Sequence, residues 1–175
     1  DFGLPHLPHR GTVPGVDVST GSLAQGFSTA LGIAFAGKIR RSSYRAFVLM
    51  SDGACQEGQT WEAAISASAL RLDNLAVVVD SNGFQACGRT KDVAGEADLV
   101  EKWAAFGWIV CEVDGHDLKA LEQALDDIPR PSGRPVAVVA RTVKGKGVSF
   151  MEGDNSWHYR APDEDQLNSA LKELS

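Results

Sequence analysis

Ala46-Phe47-Val48-Leu49-Met50-Ser51-Asp52-Gly53, followed after one helical stretch by Leu75-Ala76-Val77-Val78-Val79-Asp80-Ser81-Asn82-Gly83, decides the fold. Each run is apolar without alternation and stops at a short polar turn. Strands buried on both faces read this way, and they belong to parallel sheets whose crossover helices cover the faces. The same grammar continues outward. From Ser22 to about Arg41, the residues Leu23, Phe27, Ala30, Leu31, Ala34 and Phe35 recur at helical spacing. Residues 60–70 and 99–106 are predicted helical, 108–113 extended, 118–128 helical, 135–140 extended, and 164–174 a closing helix. Residues 1–21, with Pro5, Pro8 and Pro14, read as one long irregular segment. The alternation predicts a single α/β domain, a parallel sheet covered by helices on both faces.

Composition narrows the function classes. A chain of 175 residues is one domain of ordinary size, able to bury roughly 70% of its unfolded surface. Seventeen Lys and Arg against 23 Asp and Glu give a net charge of −6, with both signs dispersed. A general nucleic-acid binder would show a basic face instead. Cys55, Cys87 and Cys111 have no close pairing, which speaks against a disulfide framework or a zinc site and for a reducing, cytoplasmic compartment. No apolar run approaches the ~20 residues of a membrane span, and no charged start leads into an apolar stretch as in a signal peptide.

In open parallel sheets, ligands bind beyond the carboxyl ends of the strands. Asp52 and Gly53 follow the first quoted strand, and Asn82 and Gly83 follow the second. The two pairs lie about 30 residues apart, the length of one strand–helix–strand unit. A carboxylate and an amide oxygen suit a magnesium ion, which takes oxygen ligands and completes its shell from water and phosphate. Gly53 would let the backbone approach a diphosphate, with the next helix pointing its N-terminus at the anion. Either dipeptide alone is ordinary turn chemistry; the signal lies in the pair at this spacing. Other glycine motifs fail. Gly21-Ser22-Leu23-Ala24-Gln25-Gly26 lacks the lysine and hydroxyl of a P-loop, and no Gly-x-Gly-x-x-Gly follows a strand.

The run Ser51-Asp52-Gly53-Ala54-Cys55-Gln56-Glu57-Gly58, with Glu62-Ala63, Leu72-Asp73-Asn74-Leu75 and Asp80-Ser81-Asn82-Gly83, resembles the thiamine-diphosphate motif of transketolases. Pro14-Gly15-Val16-Asp17 and Ser19-Thr20-Gly21-Ser22-Leu23-Ala24-Gln25-Gly26 resemble that family's approach to its first long helix. Arg141-Thr142-Val143-Lys144-Gly145-Lys146-Gly147 and Trp157-His158 match its closing segment. The resemblance runs in collinear order from about Pro14 to Pro162. It implies thiamine diphosphate and Mg2+ as cofactors, with Ca2+ able to substitute. Asp52, the Asn82 side chain and the Phe84 carbonyl would ligate the metal, while Gly53 and Asn82 would touch the diphosphate. Gly21, Ser22 and Leu23 would lie against the cofactor rings through main-chain atoms. His158 would reach the diphosphate and the reacting centre. Glu57 and Glu62 resemble paired acids that link two active sites across a dimer interface.

The N-terminal halves of split transketolases are the nearest likeness. Residues 1–175 are then expected to form one diphosphate- and magnesium-binding domain lacking upstream residues, with the pyrimidine-binding domain on a second chain. The expected assembly is an α2β2 heterotetramer with a C-terminal transketolase subunit, transferring a two-carbon ketol unit between sugar-like substrates. Three departures stand out. Ser51 replaces the usual first glycine of the metal motif, a Gly-His-Pro near the sugar site becomes Leu4-Pro5-His6-Leu7-Pro8-His9-Arg10, and the more upstream histidine-bearing stretches are not in this chain. Either His6 or His9 could stand in at the sugar site, or neither could. Two other readings remain: the cofactor subunit of a 2-oxo acid dehydrogenase, and a non-catalytic structural or regulatory homologue. His116 reads as turn and helix-start chemistry, and Cys55 as a small buried filler.

Overall fold

Four extended segments pair side by side in the computed structural model, which describes residues 7–95, 98–128 and 131–175. They are β1 (Ala46–Ser51), β2 (Leu75–Ser81), β5 (Ile109–Asp114) and β6 (Val136–Arg141), ordered β1-β2-β6-β5 with every neighbour parallel. Ser51 pairs with Asp80, Ser81 with Arg141, and Asp114 with Arg141. All four carboxyl ends therefore finish along one edge.

The helices are α1 (Gln25–Ile39), α2 (Gly58–Ala69), α3 (Thr90–Ala94), α4 (Leu99–Ala105), α5 (Leu118–Asp126) and α6 (Glu164–Glu173). On one face of the sheet, α1, α2, α4 and the turn after α2 bury Phe27, Ala64, Trp103 and Leu72 against Val77, Val79 and Val139. Trp108 joins that core, and its indole N–H donates to the Ala64 carbonyl at 3.0 Å. Trp103 and Trp108 meet edge-on at 4.7 Å between ring centroids. On the other face, Ala124 and Leu125 of α5 pack with Ile128 on Ala76, Val136 and Val138. The expected helices and strands are all present to within a few residues, and helices lie on both faces. Cover is uneven at the β1 edge, where Phe47 and Leu49 stay 52% and 78% exposed.

Several features go beyond the sequence reading, α3 among them. A two-residue hairpin, β3 (Phe84–Gln85) and β4 (Gly88–Arg89), leads directly into α3. A 3-10 turn, Gly53–Gln56, stands between Asp52 and α2. Asn74 ties the layers together by donating its amide to the Ala34 carbonyl of α1 at 2.8 Å. Among the described residues, no helix is long and apolar enough to cross a membrane.

Candidate active site

The register of β1 on β2 brings Asp52 and Asn82 to adjacent strand ends. Asp52 donates its backbone N–H to the Asp80 carbonyl at 3.1 Å, so pairing continues one residue past the strand. Its side chain is 3% exposed. One carboxylate oxygen accepts the Gly53 N–H at 2.8 Å; the other accepts the Gly83 N–H at 2.8 Å and the Thr90 hydroxyl at 3.2 Å. One side chain thus stitches the β1 end to the turn after β2 and to the first residue of α3. The predicted meeting of the two motifs is what the structure contains.

Burial pushes the Asp52 carboxyl above its ordinary value, and the nearby Asp80 charge adds to the rise. The three donors on Asp52 oppose that push without cancelling it. A carboxylate so placed is short of positive charge. Asn82 is half-buried; its Oδ1 accepts the Phe84 N–H at 2.9 Å, and its Nδ2 donates to Asp80 at 3.2 Å. Among the described residues, no group of three or more His, Cys, Asp and Glu gathers as metal ligands. One carboxylate, one amide oxygen and a nearby main-chain carbonyl match a magnesium ion that keeps waters and phosphate oxygens, so the donor set fits such an ion.

Gly53 is buried against the hairpin, and a Cβ there would lie 3.1 Å from Gln85 Cβ. The helix expected over residues 60–70 begins slightly earlier, at Gly58, and the 3-10 turn that starts at Gly53 leads into it. The Ser51 hydroxyl accepts the Ala54 N–H at 3.1 Å, and the Asp52 carbonyl accepts the Cys55 N–H at 3.0 Å. These bonds close that tight turn, and α2 starts beyond it at Gly58. The same geometry gives Ser51 a use: beside the Asp52 cap, its hydroxyl takes the Ala54 N–H, a bond that a glycine could not make. Cys55 is 1% exposed, as its filler reading required.

Gly21, Ser22 and Leu23 lie in the turn before α1, lining a cleft of about 230 Å³ with Leu7, Met50 and Ser51. Leu23 is 54% exposed. The opening segment is tied to this turn by the Thr20 N–H, which donates to the Pro8 carbonyl at 3.2 Å. His9 is exposed and engages the Thr12 hydroxyl at 3.0 Å. His6 lies outside the described residues. His158 ends the 3-10 turn Asn155–His158 and meets Tyr159 edge-on at 4.6 Å. That turn reaches the hairpin, because Asn155 donates to the Ala86 carbonyl at 3.3 Å. Glu57 precedes α2 as its N-cap, without a side-chain capping bond, and Glu62 sits in the same helix. Both are outside the buried core and take no part in the cluster around Asp52. His116 behaves as turn chemistry: its N–H donates to Asp114 at 2.9 Å, and its Nε2 accepts the Val143 N–H at 2.8 Å.

Sequence reasoning passed over Thr90 and Thr142. The Thr142 hydroxyl donates to Asp80, joining β6 to the β2 end. Neither threonine stands at a spacing that marks it, since the hairpin brings one to the edge and the strand order brings the other.

The comparisons with known proteins agree with this geometry. Residues 3–175 match the family described as transketolase, thiamine diphosphate binding domain. An apulose-4-phosphate transketolase subunit of Actinobacillus succinogenes is 41% identical over 174 residues, covering 99% of this chain and 63% of that protein. The 6-deoxy-6-sulfo-D-fructose transketolase subunit SqwG of a Clostridium species is 39% identical, covering 97% and 61%. This chain therefore spans less than two thirds of the length of these relatives. The crystal structure of transketolase from Campylobacter jejuni superimposes with a TM-score of 0.83 at 29% identity, over 91% of this chain and 26% of that one. On the strength of the matched domain and of the strand-end motif it carries, the chain belongs to the transketolase family, as a thiamine diphosphate binding domain.

Proposed function

We propose that this chain is the thiamine-diphosphate- and magnesium-binding subunit of a two-chain ketol transferase. The observation that carries the reading is the convergence of Asp52 and Asn82 at adjacent strand ends, with Asp52 bonded across the gap to Gly83. Relatives that are themselves single subunits of transketolases support a second chain that supplies the pyrimidine-binding domain. An α2β2 assembly would place two such sites in one molecule.

In this reading the bound cofactor supplies the carbanion stabilisation that a protein side chain cannot. Asp52, Asn82 Oδ1 and the Phe84 carbonyl hold Mg2+, or Ca2+ in its place. Gly53 and Asn82 face the diphosphate. Gly21, Ser22 and Leu23 present main-chain atoms and one exposed side chain to the cofactor rings. His158 binds the diphosphate end and moves a proton at a sugar hydroxyl, a role suited to imidazole near neutral pH. Glu57 and Glu62, at the start of α2, would meet a second copy across a dimer interface.

Reconstitution tests the proposal. The full-length chain, its partner, thiamine diphosphate and Mg2+ are combined, and ketol transfer from a sugar donor to an aldehyde acceptor is followed with each chain omitted in turn. Transfer is expected only with both chains. His158→Ala is expected to lower kcat by about 10²–10⁴-fold. Full transfer without the partner, or oxidation of a 2-oxo acid coupled to a lipoyl acceptor, would overturn the proposal.

A further inference from the structure

Asp80 has no part in the ligand set above, yet it touches the site. It stands near the end of β2, and its carboxylate accepts Asn82 Nδ2 at 3.2 Å on one oxygen and the Thr142 hydroxyl on the other. Thr142 is itself fixed, because its N–H donates to the Ser81 carbonyl at 3.3 Å. The carboxylate is thus anchored from the neighbouring strand, not only from its own.

The consequence falls on Asn82. An amide has a donor end and an acceptor end, and only the oxygen can ligate a hard cation. Here Nδ2 is held by Asp80 while Oδ1 accepts the Phe84 N–H at 2.9 Å. A half-turn of the amide would set Oδ1 against a carboxylate oxygen and Nδ2 against an N–H. Both contacts would be repulsive, so the neighbours select one orientation. We propose that Asp80, anchored by Thr142, is a positioning residue that keeps the Asn82 oxygen, rather than its nitrogen, turned away from the strand and available to the cation. The inference rests on the reading of Asp52 and Asn82 as ligands.

Mn2+ binding tests it without relying on turnover. Free Mn2+ is measured by electron paramagnetic resonance on the full-length chain with its partner and thiamine diphosphate. Asp80→Ala is expected to weaken Mn2+ binding by about 10–100-fold, the usual effect of removing a group that orients a ligand. Asp80→Asn keeps an acceptor oxygen for Asn82 and should recover most of that loss. Asn82→Asp makes both ends of the ligand oxygen, so in that background Asp80→Ala should cost nothing. Thr142→Val should show the same pattern at smaller size, and it carries the test if Asp80→Ala fails to fold by circular dichroism. Equal losses in the two backgrounds would mean that Asp80 acts through its charge or through general structure, and would overturn the inference. Loss of binding in Asp52→Ala and Asn82→Ala, with none in Asp80→Ala or Thr142→Val, would overturn the inference and leave the ligand reading standing. Unchanged binding in Asp52→Ala and Asn82→Ala would remove both.

Discussion

At Asp52 and Cys55, three residues apart, burial raises two acids in different surroundings. Asp52 keeps three hydrogen-bond donors at a strand end that faces ligand space. Cys55 lies inside the aromatic core, and burial pushes its thiol up to about 12. The thiolate is the reactive form, so native Cys55 should resist a disulfide-exchange reagent at pH 8 while exposed Cys87 reacts. Titration with the reagent, before and after unfolding, checks this. Cys55 reacting as fast as Cys87 in the native protein would contradict the packing described here. The linkage has a definite sign. The unfolded thiol ionises near its ordinary value of 9.0 and the folded one near 12. Between those values the unfolded state holds fewer protons, so Cys55 contributes a loss of stability as pH rises above 9.0. Residue identity alone made the buried thiol legible. It did not make Ser51 legible as a cap, because that role needs the 3-10 turn whose N–H it accepts.

Among the elements, the loop between β6 and α6 shows what a backbone position can require. Gly145 has φ +76°, and a Cβ there would stand 2.5 Å from the Met151 carbonyl oxygen. Gly153, in the same loop, has φ +67° but nothing within 4 Å. An alanine at either site pays the left-handed backbone cost of about 1–2 kcal/mol; at Gly145 it must also displace main chain. Gly145→Ala should therefore lower stability clearly more than Gly153→Ala and shift the segment that leads to His158. Urea unfolding midpoints of the two variants check the ranking. Equal losses would mean the contact with Met151 is not made in solution. The long strands and helices were readable because their apolar periodicity is sustained. The hairpin β3–β4 was not: two-residue strands have no period, and only Gly83 and Gly88, both at positive φ, mark its turns.

For the molecule as a whole, strand order decides what distance along the chain conceals. Asp52 and Asn82 were legible together because β1 and β2 are consecutive and also adjacent in the sheet. Thr142 reaches Asp80 only because β6, not β5, lies beside β2. No spacing rule foretells that arrangement. The docking of Asn155 on Ala86, which brings the His158 turn to the hairpin, is concealed in the same way. The proposed site nevertheless reduces to charge: a buried carboxylate at a sheet edge would hold a cation that in turn holds a diphosphate. Calorimetric titration of thiamine diphosphate into the full-length chain with its partner, with and without Mg2+, in wild type and Asp52→Ala, tests it most directly. Tight, Mg2+-dependent binding in the wild type, lost in the variant, is the expected result. Binding that is indifferent to Mg2+, or that survives in Asp52→Ala, would contradict it.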